Sequence, residues 1–455
     1  MISVLNHQLR LSGNRLGIIL CLFALFMAAC SGSKEAVRST KSKGDEISRV
    51  NKRTRNNTVD TVRWSEVPEE MMPPIVSEDG PILEKKSSYN ITIALPFEAA
   101  GFSAEDDNDR FIQFYAGFQM AMDNLKDEGA SINVSSFDTE GREKILDQIL
   151  DNLKTDLIIG PYERVCLKKT ADWARENKTP MVSPWVASNR ITNKNPYYIQ
   201  LRPGVREHYN AIVEDVLQKY SPDQVVVLKR FDGADDSKVK YIQDYAAASL
   251  GKEDGLPFRE FGIEEDSLIL GETYMFDLFS KDKTTVFISQ NYLFEEDEYV
   301  YNTIRKLSAA KGEREAVVYG MPLLIDLDKI DFSLYKLLNV HVARFRYIDT
   351  YAENIQQFKR EFFQRFRSLP GDDAYFGYDV GYFFGKALMK YGKQFQFFVD
   401  QDEDLPLLGS RYDIQKKYPG ETVSDDFSDI DYLSNQLVEI IQFADNRFIR
   451  VNRKN

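Results

Sequence analysis

Cysteine and histidine are scarce in this chain, at three residues each in 455. His208 and His341 stand far from each other and from Cys166, so no Cys/His zinc site is expected. HExxH, GxSxG, P-loop and GxGxxG motifs are all missing, which removes the common signatures of metalloproteases, serine hydrolases and nucleotide binders. The acidic runs at 105–109 and 400–404 lack the alternating ligand spacing and central glycine of a calcium loop and read as solvated loops. No metal and no cofactor are therefore predicted. Beyond residues 16–29 no stretch is long and apolar enough to cross a bilayer. A surplus of cations is lacking too: 58 basic residues face 71 acidic ones. That balance argues against a nucleic-acid partner, which needs a cationic face.

What is present begins with the leader. Arg10 and Arg15 precede the apolar run 16–29, which ends in Met27-Ala28-Ala29-Cys30. The run is shorter than the roughly 20 residues of a membrane span and suits a signal-peptide core. Small residues placed just before a cysteine resemble a bacterial lipoprotein signal, with Met27 where Leu is usual. The resemblance implies cleavage of residues 1–29, lipid on Cys30, and a protein tethered on the extracytoplasmic side, in the periplasm or at the outer membrane. An ordinary secretory signal cut elsewhere is the alternative. With Cys21 lost and Cys30 lipidated, Cys166 has no partner for an intramolecular disulfide, so stability must come from packing.

Residues 30–88 read as a lipidated, flexible linker rich in Ser, Lys, Arg, Asn and Pro. Its basic part (Lys41, Lys43, Arg49, Lys52, Arg53, Arg55) is either a solvated tether or a contact for anionic lipid or cell wall. Val59, Val62 and Trp64 alternate, as in a short strand docking on the body. With 43% hydrophobic and 28% charged residues, the rest can bury two lobes.

From Tyr89 onward strand and helix patterns alternate. Apolar runs at 91–95, 132–137, 157–159 and 180–183 predict four strands. Phe111, Phe114, Phe118, Met122 and Leu125 recur at helical spacing between the first two. Helices are expected between the others, at 145–153 and 165–176. A second series follows Arg202-Pro203-Gly204: a helix at 205–219, then strands at 225–228, 258–263, 285–289, 316–319 and 340–348. Two helices carry Ile355 to Phe366 and Val380 to Tyr391, and a hairpin about Asp445-Asn446 closes the chain. This order predicts an α/β protein of parallel, doubly wound sheets.

Several of these stretches resemble one family. They are Ile93-Ala-Leu-Pro96, Ala116-Gly117-Phe118, Asp138-Thr139, Ile158-Ile-Gly-Pro161, Pro180-Met-Val-Ser-Pro184 and Phe376-Gly-Tyr-Asp379, which reads as the start of a late helix. In their order they are similar to type I periplasmic binding proteins, such as the amino-acid-binding proteins of ABC transporters. The resemblance covers roughly residues 89–455. It implies two doubly wound parallel-sheet lobes joined by three crossovers, with an interlobe cleft. Lobe I spans 89–203 completed by about 349–400, and lobe II spans 204–340 completed by about 420–455. Cleft residues are then sought at strand ends. In lobe I these are Phe97, Tyr162, Glu163, Ser183 and Trp185, with Tyr378 and Asp379 nearby. In lobe II they are Arg230, Asp232, Gln290, Tyr292 and Met321. Ser183 faces ligand or caps a helix, Trp185 stacks on a ligand or plugs the cleft, and Asp379 positions ligand or caps its helix.

Two functions fit. One is a membrane-tethered solute-binding lipoprotein that captures a small polar ligand, amino-acid-like or a cell-wall fragment, by lobe closure and serves a membrane permease. The other is an interaction module regulating a cell-envelope enzyme of peptidoglycan synthesis. Transporter relatives leave room after the Gly-Pro strand end, whereas Tyr162-Glu163-Arg164 is bulky and charged here. No carboxylate pair has a diagnostic catalytic spacing, so no enzyme is expected.

Overall fold

Both faces of each sheet are apolar here, and the strand sequences show why. In β4 (Leu157–Ile159) the first and last residues belong to one apolar cluster and Ile158 to another, and all three are buried. In β7 (Val225–Arg230), Val226 and Leu228 face one cluster, Val225 and Val227 the other. Successive strand side chains point to opposite faces, so continuous apolar runs can only be satisfied by helices on both sides.

The computed structural model describes residues 59–62, 85–97, 109–252, 255–264, 275–327, 329–399, 405–419 and 429–451. All of them belong to one body, Asn57–Asn455. The leader, Cys30, most of the linker and the acidic runs at 105–108 and 400–404 lie outside the described residues.

The first sheet opens with β1 (Val59–Val62), which pairs antiparallel with β3 (Ile132–Asp138). The docking strand expected from the alternation is thus present. Next come β2 (Tyr89–Leu95), β4, β5 (Met181–Ser183) and β6 (Tyr198–Gln200), all parallel to their neighbours. Helices α1 (Asp109–Asp127), α2 (Glu143–Leu150) and α3 (Arg164–Glu176) connect them.

After β6 the chain crosses at 202–204 into α4 (Val205–Lys219) and the second sheet. That sheet holds β7, β8 (Arg259–Ile263), β9 (Thr285–Ser289), β10 (Ala316–Gly320) and β11 (Val340–Arg344), all parallel. Between them lie α5 (Asp236–Ser249), α6 (Asp297–Lys311), α7 (Leu323–Asp326) and α8 (Phe332–Leu337). A second crossover at 345–352 returns to the first lobe through α9 (Glu353–Phe366) and α10 (Asp372–Tyr391).

The tail differs from expectation. Residues from about 420 to 455 are expected in the second lobe, yet β13 (Tyr432–Asn435) pairs with β6 and, with its antiparallel partner β12 (Ile414–Lys417), extends the first sheet. Only then does a third crossover deliver the hairpin β14 (Glu439–Ala444) and β15 (Arg447–Arg450) to the second sheet. Asp445 and Asn446 both have positive φ, 51° and 59°, the turn geometry that suits strand twist. The sheet orders are β1-β3-β2-β4-β5-β6-β13-β12 and β15-β14-β11-β10-β9-β7-β8. In each, order reverses near β2/β4 and β7/β9, the switch points where crevices form. Among the described residues no helix is long and apolar enough to cross a membrane.

Candidate functional site

Strand β4 ends at Gly160, whose φ of +91° suits glycine. A Cβ there would lie 2.3 Å from the Ala94 carbonyl oxygen, so the two backbones touch. The tight exit throws Tyr162 and Glu163 forward, and α3 begins at Arg164. One strand along, β5 ends at Ser183 and is followed by Trp185. Trp185 is only 6% exposed and meets Phe114, Phe111, Tyr162 and Phe376 with ring centroids 4.7, 5.3, 6.0 and 6.0 Å away. Its indole Nε1 donates to Asp373 at 3.2 Å. The Arg110 guanidinium covers the cluster, 5.5 Å from the Tyr162 ring and 5.7 Å from the Trp185 ring, with Nε 3.5 Å from the Asp373 carboxylate. Aromatic rings therefore fill the first-lobe strand ends.

Beside this cluster a cavity of about 570 Å³ remains between the lobes. First-lobe walls include Tyr162, Glu163, Arg164 and Trp185, and second-lobe walls include His208, Tyr292, Phe294, Met321 and Asp326. Arg202 and Pro203 of the first crossover close one side. His208 is held below the usual histidine range, to about 4, because burial disfavours its charge. It is neutral near pH 7, and its Nδ1 lies 2.8 Å from the Gly204 carbonyl oxygen. Burial also raises the Asp326 carboxyl against the pull of Arg344, and it lowers the Arg202 guanidinium with the help of Arg110.

Of the residues singled out in the sequence, Tyr162, Glu163, Trp185, Tyr292 and Met321 line this cavity. The others are employed elsewhere. Phe97 packs edge-on against Tyr115. Ser183 is fully buried behind the strand end, beside the Tyr198 hydroxyl. Arg230 stacks 4.7 Å over Tyr299 and approaches Glu296 at 3.3 Å. Asp232 accepts from the Ala234 amide in a turn. Gln290 is fully buried, and its backbone carbonyl accepts from the Tyr209 hydroxyl at 2.8 Å. Tyr378 accepts from Asn124 at 2.8 Å, and its ring stacks on Tyr382.

Asp379 is the clearest correction. It neither caps a helix nor reaches the cavity: α10 starts at Asp372, so Asp379 sits two turns in and fully buried. Its carboxylate accepts from the amides of Leu408, Gly409 and Ser410 at 2.6, 2.9 and 2.7 Å, tying down the loop that precedes β12. Burial raises this carboxyl, and the three amides oppose the rise.

Sequence reading missed Arg164, Arg202, His208, Phe294 and Asp326. The signal for Arg202 was its place before Pro203-Gly204, the boundary of the two strand–helix series. Asp326 had no signal, since α7 is only four residues long.

No protein-family model matches the chain, and no curated protein sequence matches it. Solved structures do match in fold. A protein of Rhodospirillum rubrum, provisionally assigned as a branched-chain amino acid ABC transporter, superimposes with a TM-score of 0.55 at 12% identity, covering 80% of this chain and 100% of that one. A branched-chain amino acid ABC transporter periplasmic ligand-binding protein of Burkholderia xenovorans gives 0.52 at 12%, covering 80% and 95%. An ABC transporter substrate-binding protein of Desulfitobacterium hafniense gives 0.51 at 14%, covering 80% and 100%. Two doubly wound sheets, three crossovers and a cleft between them make this the type I periplasmic binding fold.

Proposed function

We propose that the protein is a lipid-anchored binding protein of the cell envelope that captures a small polar molecule between its lobes and performs no chemistry on it. One observation carries the reading: a cavity of about 570 Å³ has walls from both lobes and from the crossover that joins them. Pockets of roughly 300–1,000 Å³ at domain interfaces suit small ligands. A ligand touching both lobes also favours the closed arrangement over the open one, which is how hinge closure is driven. Aromatic walls beside two arginines, a glutamate and an aspartate suit an amino-acid-like compound or a cell-wall fragment. The anchor is the Cys30 lipid, and a membrane permease is the partner that the fold's transporter relatives suggest.

The filled strand ends support a second reading, a module that regulates a peptidoglycan-synthesis enzyme. Trp185 after β5 packs against Phe111, Phe114 and Phe376, so aromatic rings take up space at the first-lobe strand ends.

Melting curves of the purified protein against amino acids, N-acetylated amino acids, short peptides and muropeptides test the choice. A ligand of the folded state at a hundredfold excess over Kd stabilises by about 2.7 kcal/mol. If no compound moves the curve and the protein instead co-purifies with an envelope enzyme, the second reading replaces the first.

A further inference from the structure

We infer that the loop 408–411 and the hairpin β14–β15 form a clasp between the lobes, with Arg450 as its pin, and that this clasp sets the angle at which the lobes rest. The clasp lies outside the cleft and acts in the same way whether the cleft takes a small ligand or a protein partner.

The loop belongs to the first lobe. Leu408 is part of that lobe's apolar core, and the three amides that Asp379 holds fix the loop to α10. The hairpin belongs to the second lobe, where β14 pairs with β11 and β15 with β14. Arg450, on β15, reaches across. Its Nη2 donates to the Gly409 carbonyl at 3.3 Å and to the Tyr347 carbonyl of the second crossover at 3.0 Å. Its Nε donates to the Glu439 carboxylate at 3.0 Å. Glu439 also forms an ion pair, at 3.5 Å, with Arg411 of the loop. The second crossover is stitched to both sides. The Tyr347 amide donates to the Gly409 carbonyl at 3.0 Å, and the Tyr347 hydroxyl donates to the Phe448 carbonyl on β15. Asp349 lies 3.4 Å from Arg447 at the start of that strand. A Cβ on Gly409 would lie 2.7 Å from Ile348 Cγ1, so loop and crossover are in close contact as well.

One guanidinium thus serves acceptors on the first lobe, on the second lobe and on the chain between them. Its planar fork has fixed donor directions, and hydrogen bonds weaken steeply away from them. The Glu439 side chain is only 12% exposed, so water screens the pair in part and not fully. Turning one lobe against the other carries Gly409 and Arg411 away from the hairpin and breaks these contacts. None of the clasp residues is among those that line the cleft cavity, so the clasp works on the lobe angle and not by touching what the cleft holds. Whatever stabilises one angle also raises the differential affinity that an occupant needs to impose another.

Pulsed electron–electron resonance tests the clasp. Spin labels go on Glu176→Cys at the end of α3 and Glu313→Cys just after α6, one in each lobe, in the chain carrying Cys21→Ala and Cys30→Ala. The parent should give one narrow distance distribution. Arg450→Gln should broaden it at least about twofold, because the lobes then sample several angles. Arg450→Lys keeps the charge without the fork and should fall between the two. Arg305→Gln makes the same charge change at an exposed site on α6 and should match the parent. Circular dichroism and melting establish that each variant is folded. Should Arg450→Gln fail to fold, Arg411→Gln takes its place, since that side chain is 58% exposed and its loss leaves the core intact. A broad distribution in the parent, an unchanged one in folded Arg450→Gln or Arg411→Gln, or equal broadening in Arg305→Gln would each overturn the clasp. No ligand enters the measurement, so its failure would leave the reading of the cleft untouched.

Discussion

Gly117 and Gly377 mark the crossing of α1 and α10, two helices of the first lobe that meet backbone to backbone. A Cβ on Gly117 would lie 1.8 Å from the Ala374 carbonyl oxygen, and one on Gly377 would lie 1.8 Å from that of Phe114. Backbone meets backbone at both points, and neither can move without parting the helices. Both glycines stood among the stretches that suggested the fold. The structure gives them a packing role, and through Phe114 and Phe376 they set the floor beneath Trp185.

Gly377→Ala is therefore expected to destabilise by about 3 kcal/mol, at the upper end for overpacking a tight contact. Urea unfolding measures it. Gly371→Ser is the control, since a Cβ there meets nothing within 4 Å and serine is favoured at the N-cap it occupies. Equal midpoints for the two variants would contradict the tight crossing.

Trp185→Ala should cost about 3–5 kcal/mol, the range for emptying a large aromatic from a core. Trp185→Phe should cost less, because it keeps ring contacts with Phe114 and Phe111 and loses the Asp373 hydrogen bond. A Trp185→Ala protein as stable as the parent would mean that the indole stands free in the cleft.

Acid sensitivity should trace to Glu296. Burial works against its charge, but the Leu293 amide, Lys238 and Asn291 outweigh that and hold the carboxyl at about 2, against an ordinary 4.5. The folded state thus binds the proton more weakly than the unfolded chain. The stabilisation is complete above pH 4.5 and is lost as pH falls towards 2. Glu296→Gln should lose roughly 3 kcal/mol at pH 7, from a shift of about two and a half pK units. In unfolding curves the gap to the parent should shrink steadily between pH 4.5 and pH 2. A gap that stays constant with pH would count against this cluster.

Cys166 should resist alkylation in the folded protein. The thiol is buried and unpaired, and burial, with Glu163 and Glu143 adding to it, pushes it up to about 11. Iodoacetamide at pH 8 should label it only after unfolding, since the thiolate is the reactive form. Mass spectrometry reads the outcome, and rapid labelling of the native chain would refute the burial.

Anchoring is tested at Cys30. The Cys30→Ala protein should leave the membrane fraction and keep its melting temperature, because the lipid is the only link proposed and no contact of the described residues depends on Cys30. Persistent tight membrane association would point to another anchor.

Much of the architecture was legible because it is written in local periodicity. Apolar runs marked β2, β4, β7, β9 and β10, and Phe111, Phe114 and Phe118 marked α1, since side-chain direction repeats every two residues in a strand and every 3.6 in a helix. The tail was not legible in this way. Ile414–Lys417 and Tyr432–Asn435 are four-residue strands, too short to declare themselves. Their sheet is chosen by pairing with Tyr198–Gln200, more than two hundred residues away in sequence.

The same division runs through the site. By itself the sequence indicated which residues end strands, but of those named on that ground Tyr162, Glu163, Trp185, Tyr292 and Met321 line the cavity while Phe97, Ser183, Arg230, Asp232 and Gln290 do not. Tertiary structure alone decided that Arg230 turns to Glu296, that Asp379 holds the 408–410 amides, and that Arg202 and Asp326 face each other across the cavity. The reason is physical. A backbone pattern sets where a side chain begins and which face it leaves from. Its partner is whichever complementary group the packing of distant elements brings within about 3 Å, and hydrogen-bond and ion-pair energies fall away too steeply with distance for sequence spacing to reveal it.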